Sequence, residues 1–291
     1  GNTMTGLDKK YGIDRIIDTP VSESAVTGAA VGASLAGMRP IVVHPRMDFM
    51  IYAMDAIVNQ AAKWSHMMGG QANPSLTIRS IINRGGEQGA QHSQALHAWF
   101  AHVPGLRVVM PSTVKDARDL LIGAVLSEDP VIYIDDRWLY ELEDELEPID
   151  LNEISLKSQK PSVSIEGSDI TIVASGYTSY LARMAASKLH KKNIYPEIID
   201  TRVINPFEID GILSSVKKTK NLLVIDPGTL SGGFSAEIIT RVMESLPSDI
   251  LKNTPKRLAL PDAPAPTSRV LEANYYFDSD EIVDKVLKTL S

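Results

Sequence analysis

The feature that most constrains the fold is an alternation that runs, stops and runs again. Apolar, β-branched runs at Pro40 to Val43, Leu76 to Ile82, Leu106 to Met110 and Val131 to Ile134 are separated by helical patterns near Met50 to Met68, Ser93 to Phe100 and Val114 to Ser127. Short apolar runs of this kind read as buried strands, and strands alternating with helices build a parallel sheet covered on both faces. From Trp138 to Ser168 the pattern breaks, with the acidic run Glu141-Leu142-Glu143-Asp144-Glu145-Leu146-Glu147 followed by Pro148 and Pro161. It restarts with strands at Ile170 to Ser175, Pro196 to Thr201, Leu222 to Asp226 and Arg257 to Leu260. Helices are expected at Ser179 to Lys191, Glu208 to Lys217, Ser235 to Leu246 and Ser279 to Leu290. The expected fold class is therefore α/β, as two three-layer α/β/α domains with mostly parallel sheets. The first covers residues 1–150, a linker covers 151–168, and the second covers 169–291.

Composition excludes several functions. A formal charge of −7 over 291 residues leaves no basic footprint for nucleic acid or an anionic membrane surface, and no apolar run reaches a transmembrane length. With no cysteine there is no disulfide framework and no thiolate nucleophile, which suits a reducing compartment; the cytoplasm is the expectation. There is no Gly-x-Gly-x-x-Gly after a strand, no Gly-Lys-Ser/Thr phosphate loop and no Gly-x-Ser-x-Gly elbow, which weakens the dehydrogenase, NTPase and hydrolase readings.

Three clusters carry chemistry. In Ile16-Ile17-Asp18-Thr19-Pro20-Val21-Ser22-Glu23 a short strand is expected to end at Asp18, Pro20 to stop the ladder, and a helix to begin at Ser22 or Glu23. Glu23 then stands at a strand-to-helix crossover, where it either complements the helix dipole or meets a ligand beyond the sheet. In His44-Pro45-Arg46-Met47-Asp48-Phe49, Phe49 offers an aromatic face and Arg46 a cation, or they are a core Phe and a surface Arg. In Asn83-Arg84-Gly85-Gly86-Glu87-Gln88-Gly89-Ala90-Gln91-His92, glycines allow close backbone approach. His92 is either a proton-transfer group or a solvated loop residue.

Asp18-Thr19-Pro20-Val21-Ser22-Glu23, Ala90-Gln91-His92-Ser93-Gln94 with Trp99-Phe100-Ala101-His102-Val103-Pro104-Gly105-Leu106, and Gly233-Phe234-Ser235-Ala236-Glu237-Ile238 occur in the order and spacing of one family. The chain resembles the β subunit of thiamine-diphosphate-dependent 2-oxo acid dehydrogenases, the E1 component of pyruvate, branched-chain and acetoin type. The likeness runs from about Gly6 to the C-terminus and includes Asp55 to Lys63 and Pro206-Phe207. It implies a pyrimidine-binding domain followed by a transketolase C-terminal-like domain.

The resemblance implies roles for single residues. Glu23 matches the glutamate that hydrogen-bonds N1′ of the cofactor's aminopyrimidine, Phe49 the ring that stacks on the pyrimidine, Val21 an apolar contact, and His92 the active-site histidine. It implies oxidative decarboxylation of a 2-oxo acid with acyl transfer to lipoamide. The diphosphate and Mg2+ would be held by an α subunit through Gly-Asp-Gly, a motif with no match here. The expected assembly is an α2β2 heterotetramer with a β–β contact, and a lipoyl acyltransferase (E2) is a further partner the resemblance implies. A K+ ion on the carbonyls of Leu76, Ala124, Ser127 and Asp129 is also implied.

Two departures from the family stand out. A preceding strand-helix-strand with a Gly-Glu-Glu-like segment has no counterpart before Gly1. Where the pyruvate enzymes carry a Glu-Phe-Met-Thr-Phe-Asn-Phe-like stretch, this chain has Val43 to Phe49, so His44 or Arg46 is expected to read a polar or anionic substrate group. Two alternatives stand beside this reading: a split two-carbon transferase of the transketolase or deoxyxylulose-phosphate-synthase kind, and a non-catalytic assembly subunit.

Overall fold

The computed structural model describes residues 3–291; Gly1 and Asn2, with which the first expected domain begins, lie outside the described residues. The chain runs through α1 (Leu7–Tyr11), α2 (Glu23–Leu35), β1 (Ile41–His44), α3 (Met47–Met50), α4 (Ala62–Met67), β2 (Thr77–Ile82), α5 (His97–Ala101), β3 (Arg107–Val109), α6 (Val114–Leu126) and β4 (Val131–Asp136). It continues through β5 (Ser162–Ile165), β6 (Ile170–Ala174), α7 (Tyr177–His190), β7 (Pro196–Asp200), β8 (Val203–Asn205), α8 (Asp210–Thr219) and β9 (Leu222–Thr229). It ends with α9 (Phe234–Ser245), β10 (Lys256–Leu260), α10 (Arg269–Glu272) and α11 (Ser279–Leu290).

Two five-stranded sheets form, in the orders β1-β2-β4-β3-β8 and β10-β9-β6-β7-β5. All pairings are parallel except those of β8 with β3 and β5 with β7. Alternate residues of each strand feed opposite faces. In the second sheet Ile170, Ile172 and Ala174 pack with Leu181 and Ala185 of α7 and Ile282 and Val286 of α11. Val173, Ile199 and Val224 point the other way, toward Ile212 and Val216 of α8 and Ile238 and Val242 of α9. That second cluster also contains Ile78, Ile132 and Ile134 of the first sheet, so one apolar core joins both sheets. β8 strengthens the join: it belongs by sequence to the second half yet pairs with β3.

Five expectations change. Ile16-Ile17-Asp18 is not a strand but a bend and irregular chain, with Ile17 71% exposed; it pairs with no strand, and unpaired strand backbone gains nothing. The helix expected from Met50 begins at Met47, because Met47 and Met50 are both fully buried. It then tightens to a 3-10 turn at Ile51–Ala53 and widens to a π-helix at Asp55–Ala61 before α4. The helix expected from Ser93 starts only at His97. Ser93 Oγ donates to the Gly89 carbonyl and the Gln94 N–H donates to Asp48, drawing this backbone out of a helical ladder. β5 lies inside the stretch expected as linker and adds an edge to the second sheet. β8 was not anticipated at all.

Candidate active site

Because β1 and β2 are parallel, the loops that follow them lie together beyond the carboxyl ends of the sheet. Side chains lock these loops to each other. Arg46 Nη2 donates to Gln88 Oε1 at 3.2 Å, and Asp48 Oδ1 accepts from both the backbone N–H and Nε2 of Gln94, at 3.2 and 2.8 Å. The rings of Phe49 and His92 meet edge to face, centroids 5.3 Å apart at 86°. Gln88 Oε1 also accepts from Asn83 Nδ2, and Asn83 Oδ1 from Arg137 Nη1.

Glu23 reaches the same end of the sheet from above. It is the first residue of α2, half-buried, and Ser22 before it makes no side-chain cap, so the positive end of the helix dipole is left open. Thr27, four residues on and therefore on the same helix face, is buried and shares a 3.2 Å hydrogen bond between its Oγ1 and His44 Nε2. His44, only 3% exposed, ends β1 beneath that face. Burial pushes its imidazole down to about 4, partly offset by the negative charge of Glu23. The ring is therefore neutral around pH 7 and turned toward Thr27.

Each expected site residue has a place. Phe49 and His92 touch, and Glu23 and His44 are electrostatic neighbours through the α2 face. Arg46 spends two donors inside the protein, on Pro45 O and Gln88, while its Nε is buried without a partner. Val21 stands apart, 92% exposed at the approach to Glu23. The four residues expected to hold K+ gather where β2 and β4 begin and α6 ends. The carbonyls of Leu76, Ala124 and Ser127 already accept from the Val131 N–H, the Ser127 N–H and Arg39 Nη1, and Arg39 also donates to the Val125 carbonyl. Arg39 thus brings a guanidinium to this helix end. Among the described residues no group of three or more His, Asp or Glu is placed to hold a metal ion, and no helix is long and apolar enough to cross a membrane.

Sequence reasoning missed Asp48, Gln88, Asn83 and Gln94 as tethers. Asp48 carried a signal, an acid between buried methionines. A second polar pair also went unread: His97 and Asp226, both buried, face each other at 3.1 Å between the first residue of α5 and β9. Burial alone would raise the Asp226 carboxyl, but His97 and the N–H groups of Gly228 and Ser235 hold it net below its ordinary value.

A largely parallel sheet with an acid at a helix start over the end of β1, and an aromatic ring meeting a histidine beyond β1 and β2, is the frame of a cofactor-binding α/β domain. The transketolase pyrimidine-binding domain matches residues 1–141 and the transketolase C-terminal domain residues 160–282. The β subunit of acetoin:2,6-dichlorophenolindophenol oxidoreductase of Cupriavidus necator is 38% identical over 285 residues, 98% of this chain and 83% of that protein. The corresponding subunit of Bacillus subtilis is 36% identical, at 98% and 82%. The mitochondrial pyruvate dehydrogenase E1 component β subunit of Drosophila melanogaster is 36% identical, covering 98% and 78%. A split gene transketolase, an inactive β4 tetramer, superposes with a TM-score of 0.77 at 21% identity over 99% of this chain and 88% of that one, a likeness of fold. The chain belongs to the E1 β-subunit family of the 2-oxo acid dehydrogenases, thiamine-diphosphate-dependent oxidoreductases of transketolase-like fold.

Proposed function

We propose that this chain supplies the pyrimidine half of a thiamine-diphosphate site, with Glu23 as the acid, Phe49 and Val21 as cofactor contacts and His92 as a second catalytic group. The observation that carries the reading is the meeting of Phe49 and His92 at the mouth of the β1 and β2 loops, on the side of the sheet where α2 presents Glu23. The residues suit the group. An open helix N-terminus with a half-buried carboxyl fits a ring nitrogen that must be protonated, and an aromatic edge fits a planar heterocycle.

Bound thiamine diphosphate supplies a carbon nucleophile and an electron sink. Glu23 would hold a proton at its carboxyl oxygen toward the pyrimidine ring, supplying acid–base catalysis to the bound group. His44, neutral beneath α2, adds no positive charge there to favour the ionised carboxylate. Phe49 orients the pyrimidine plane, and His92, fixed against Phe49, presents an imidazole to the reacting carbonyl or the acyl acceptor. Diphosphate and Mg2+ fall to an α subunit, since no Gly-Asp-Gly occurs here. The relatives' printed designation as β subunits supports such a partner, and we infer an α2β2 assembly with a β–β contact and acyl transfer to lipoamide on an E2 acyltransferase. The cysteine-free composition supports a reducing compartment such as the cytoplasm.

The substrate we propose is a 2-oxo acid, with Arg46 Nε as the free donor toward an anionic group. A second reading, oxidation of acetoin, is favoured by the relatives of Cupriavidus necator and Bacillus subtilis, whose printed names are acetoin oxidoreductases. Co-expression with an α subunit, then assay of pyruvate, branched-chain 2-oxo acids and acetoin with lipoamide or an artificial dye, tests both. Turnover of a 2-oxo acid supports the first reading and turnover of acetoin alone the second. Ketol transfer to an aldose with neither would overturn both.

A further inference from the structure

The glycine-rich loop that delivers His92 is held from the other end of the chain. Gly85, Gly86 and Glu87 have φ of 74°, 67° and 62°, three successive left-handed residues, the last of which has a side chain that disfavours this conformation. A carboxylate holds this last residue: the Glu87 N–H donates to both Oε1 and Oε2 of Glu272, at 3.1 and 3.0 Å, and Glu272 is 8% exposed. Glu272 ends α10 and lies 185 residues away in sequence.

Neighbouring contacts fix the same latch. Arg269 Nη2 approaches Glu87 Oε2 at 3.4 Å, and Thr267 sits so close to Gly89 that a Cβ there would come within 2.6 Å of its Oγ1. At the root of the loop, Arg84 pairs with buried Asp136 at 2.8 Å and lies 5.7 Å from the ring of Tyr177 and 5.9 Å from that of Tyr276, both from the second half of the chain. The far end of the loop closes on itself, Ser93 Oγ donating to Gly89 O.

We propose that Glu272 is a positioning residue for catalysis. By accepting from the Glu87 N–H at its left-handed turn it holds the loop conformation that sets His92 against Phe49, and so couples the C-terminal half of the chain to the active site. This rests on the assignment of His92 given under Proposed function. A hydrophobic side chain at 272 would leave the Glu87 N–H without its acceptor, and a glutamine would retain one acceptor oxygen.

The test uses the reconstituted α/β enzyme with Glu272→Ala, Glu272→Gln and His92→Ala. For Glu272→Ala, amide exchange across 85–92 should quicken by about tenfold or more while α2 is unchanged. Turnover should fall by about tenfold or more, as expected for a displaced active-site group, with the cofactor KM within about twofold. Glu272→Gln should restore most of both. Unchanged exchange at 85–92 would overturn the latch, and faster exchange with unchanged turnover would overturn its role in positioning. A silent His92→Ala would instead overturn the assignment of His92, leaving the exchange measurement to judge the latch.

Discussion

The ring of His92 meets the ring of Phe49 edge-on, centroids 5.3 Å apart, although Phe49 lies in α3 after β1 and His92 on the loop after β2. The contact depends on both loops being tied down, by Arg46 to Gln88 and by Asp48 to Gln94. Phe49 is only partly buried, so it has a face left for a ligand. Phe49→Ala is expected to weaken cofactor binding about tenfold, the loss of an aromatic contact worth about 1.5 kcal/mol. Half-saturation of the apo α/β enzyme with thiamine diphosphate measures it, and unchanged half-saturation would remove Phe49 from the site.

His44 should make the fold sensitive to acid. Its pKa is about 4 in the folded protein against about 6.5 unfolded, so between these values the unfolded chain binds more protons and stability rises with pH. The contribution is complete above about pH 6.5 and is lost as pH falls toward 4; it amounts to about 3 kcal/mol. Asp200 works in the opposite sense. Burial pushes its carboxyl up to about 6, so over roughly the same window its contribution falls as pH rises. The two oppose each other in the wild type, and each is exposed only by difference. Urea unfolding at pH 4.5 and 7 should show His44→Gln losing less stability on acidification than wild type, and Asp200→Asn losing more. Parallel curves would refute the burial argument.

Gly105 closes the turn before β3 with φ of 98°, and a Cβ built on it would lie 1.9 Å from the Ala62 carbonyl oxygen at the start of α4. Backbone on both sides leaves no flexible side chain to give way. Gly105→Ala is expected to cost about 3 kcal/mol from overpacking and left-handed strain together. Thermal melting of the subunit reads it, and a midpoint within a degree of wild type would contradict the packing.

Much of the fold is legible in the sequence because the strands are buried on both faces. The runs at Thr77–Ile82, Val131–Asp136, Ile170–Ala174 and Leu222–Thr229 have few polar interruptions and sit between helical patterns, which only a parallel sheet satisfies. β8 was not legible: three residues, Val203-Ile204-Asn205, are too few for a period, and their partner β3 is almost a hundred residues earlier. The Ile16–Asp18 run misled in the opposite way, since an apolar run makes a strand only where a ladder is available. The chemistry of Glu23, Phe49 and His92 came from the order of family motifs, because a lone acid, Phe or His has a bland explanation at least as good. The tethers stayed hidden: Arg46 to Gln88 spans 42 positions and Glu87 to Glu272 spans 185, distances at which local pattern carries no information.

Everything proposed for the site turns on the carboxyl of Glu23. Glu23→Gln keeps the size and the helix start but removes the acidic proton. It should lower turnover of the substrate by at least about 100-fold in the reconstituted α/β enzyme, the usual scale of positioned proton transfer, with thermal stability unchanged. Turnover by the glutamine variant within about threefold of wild type, well short of that scale, would contradict the assignment of Glu23 as the acid of this site.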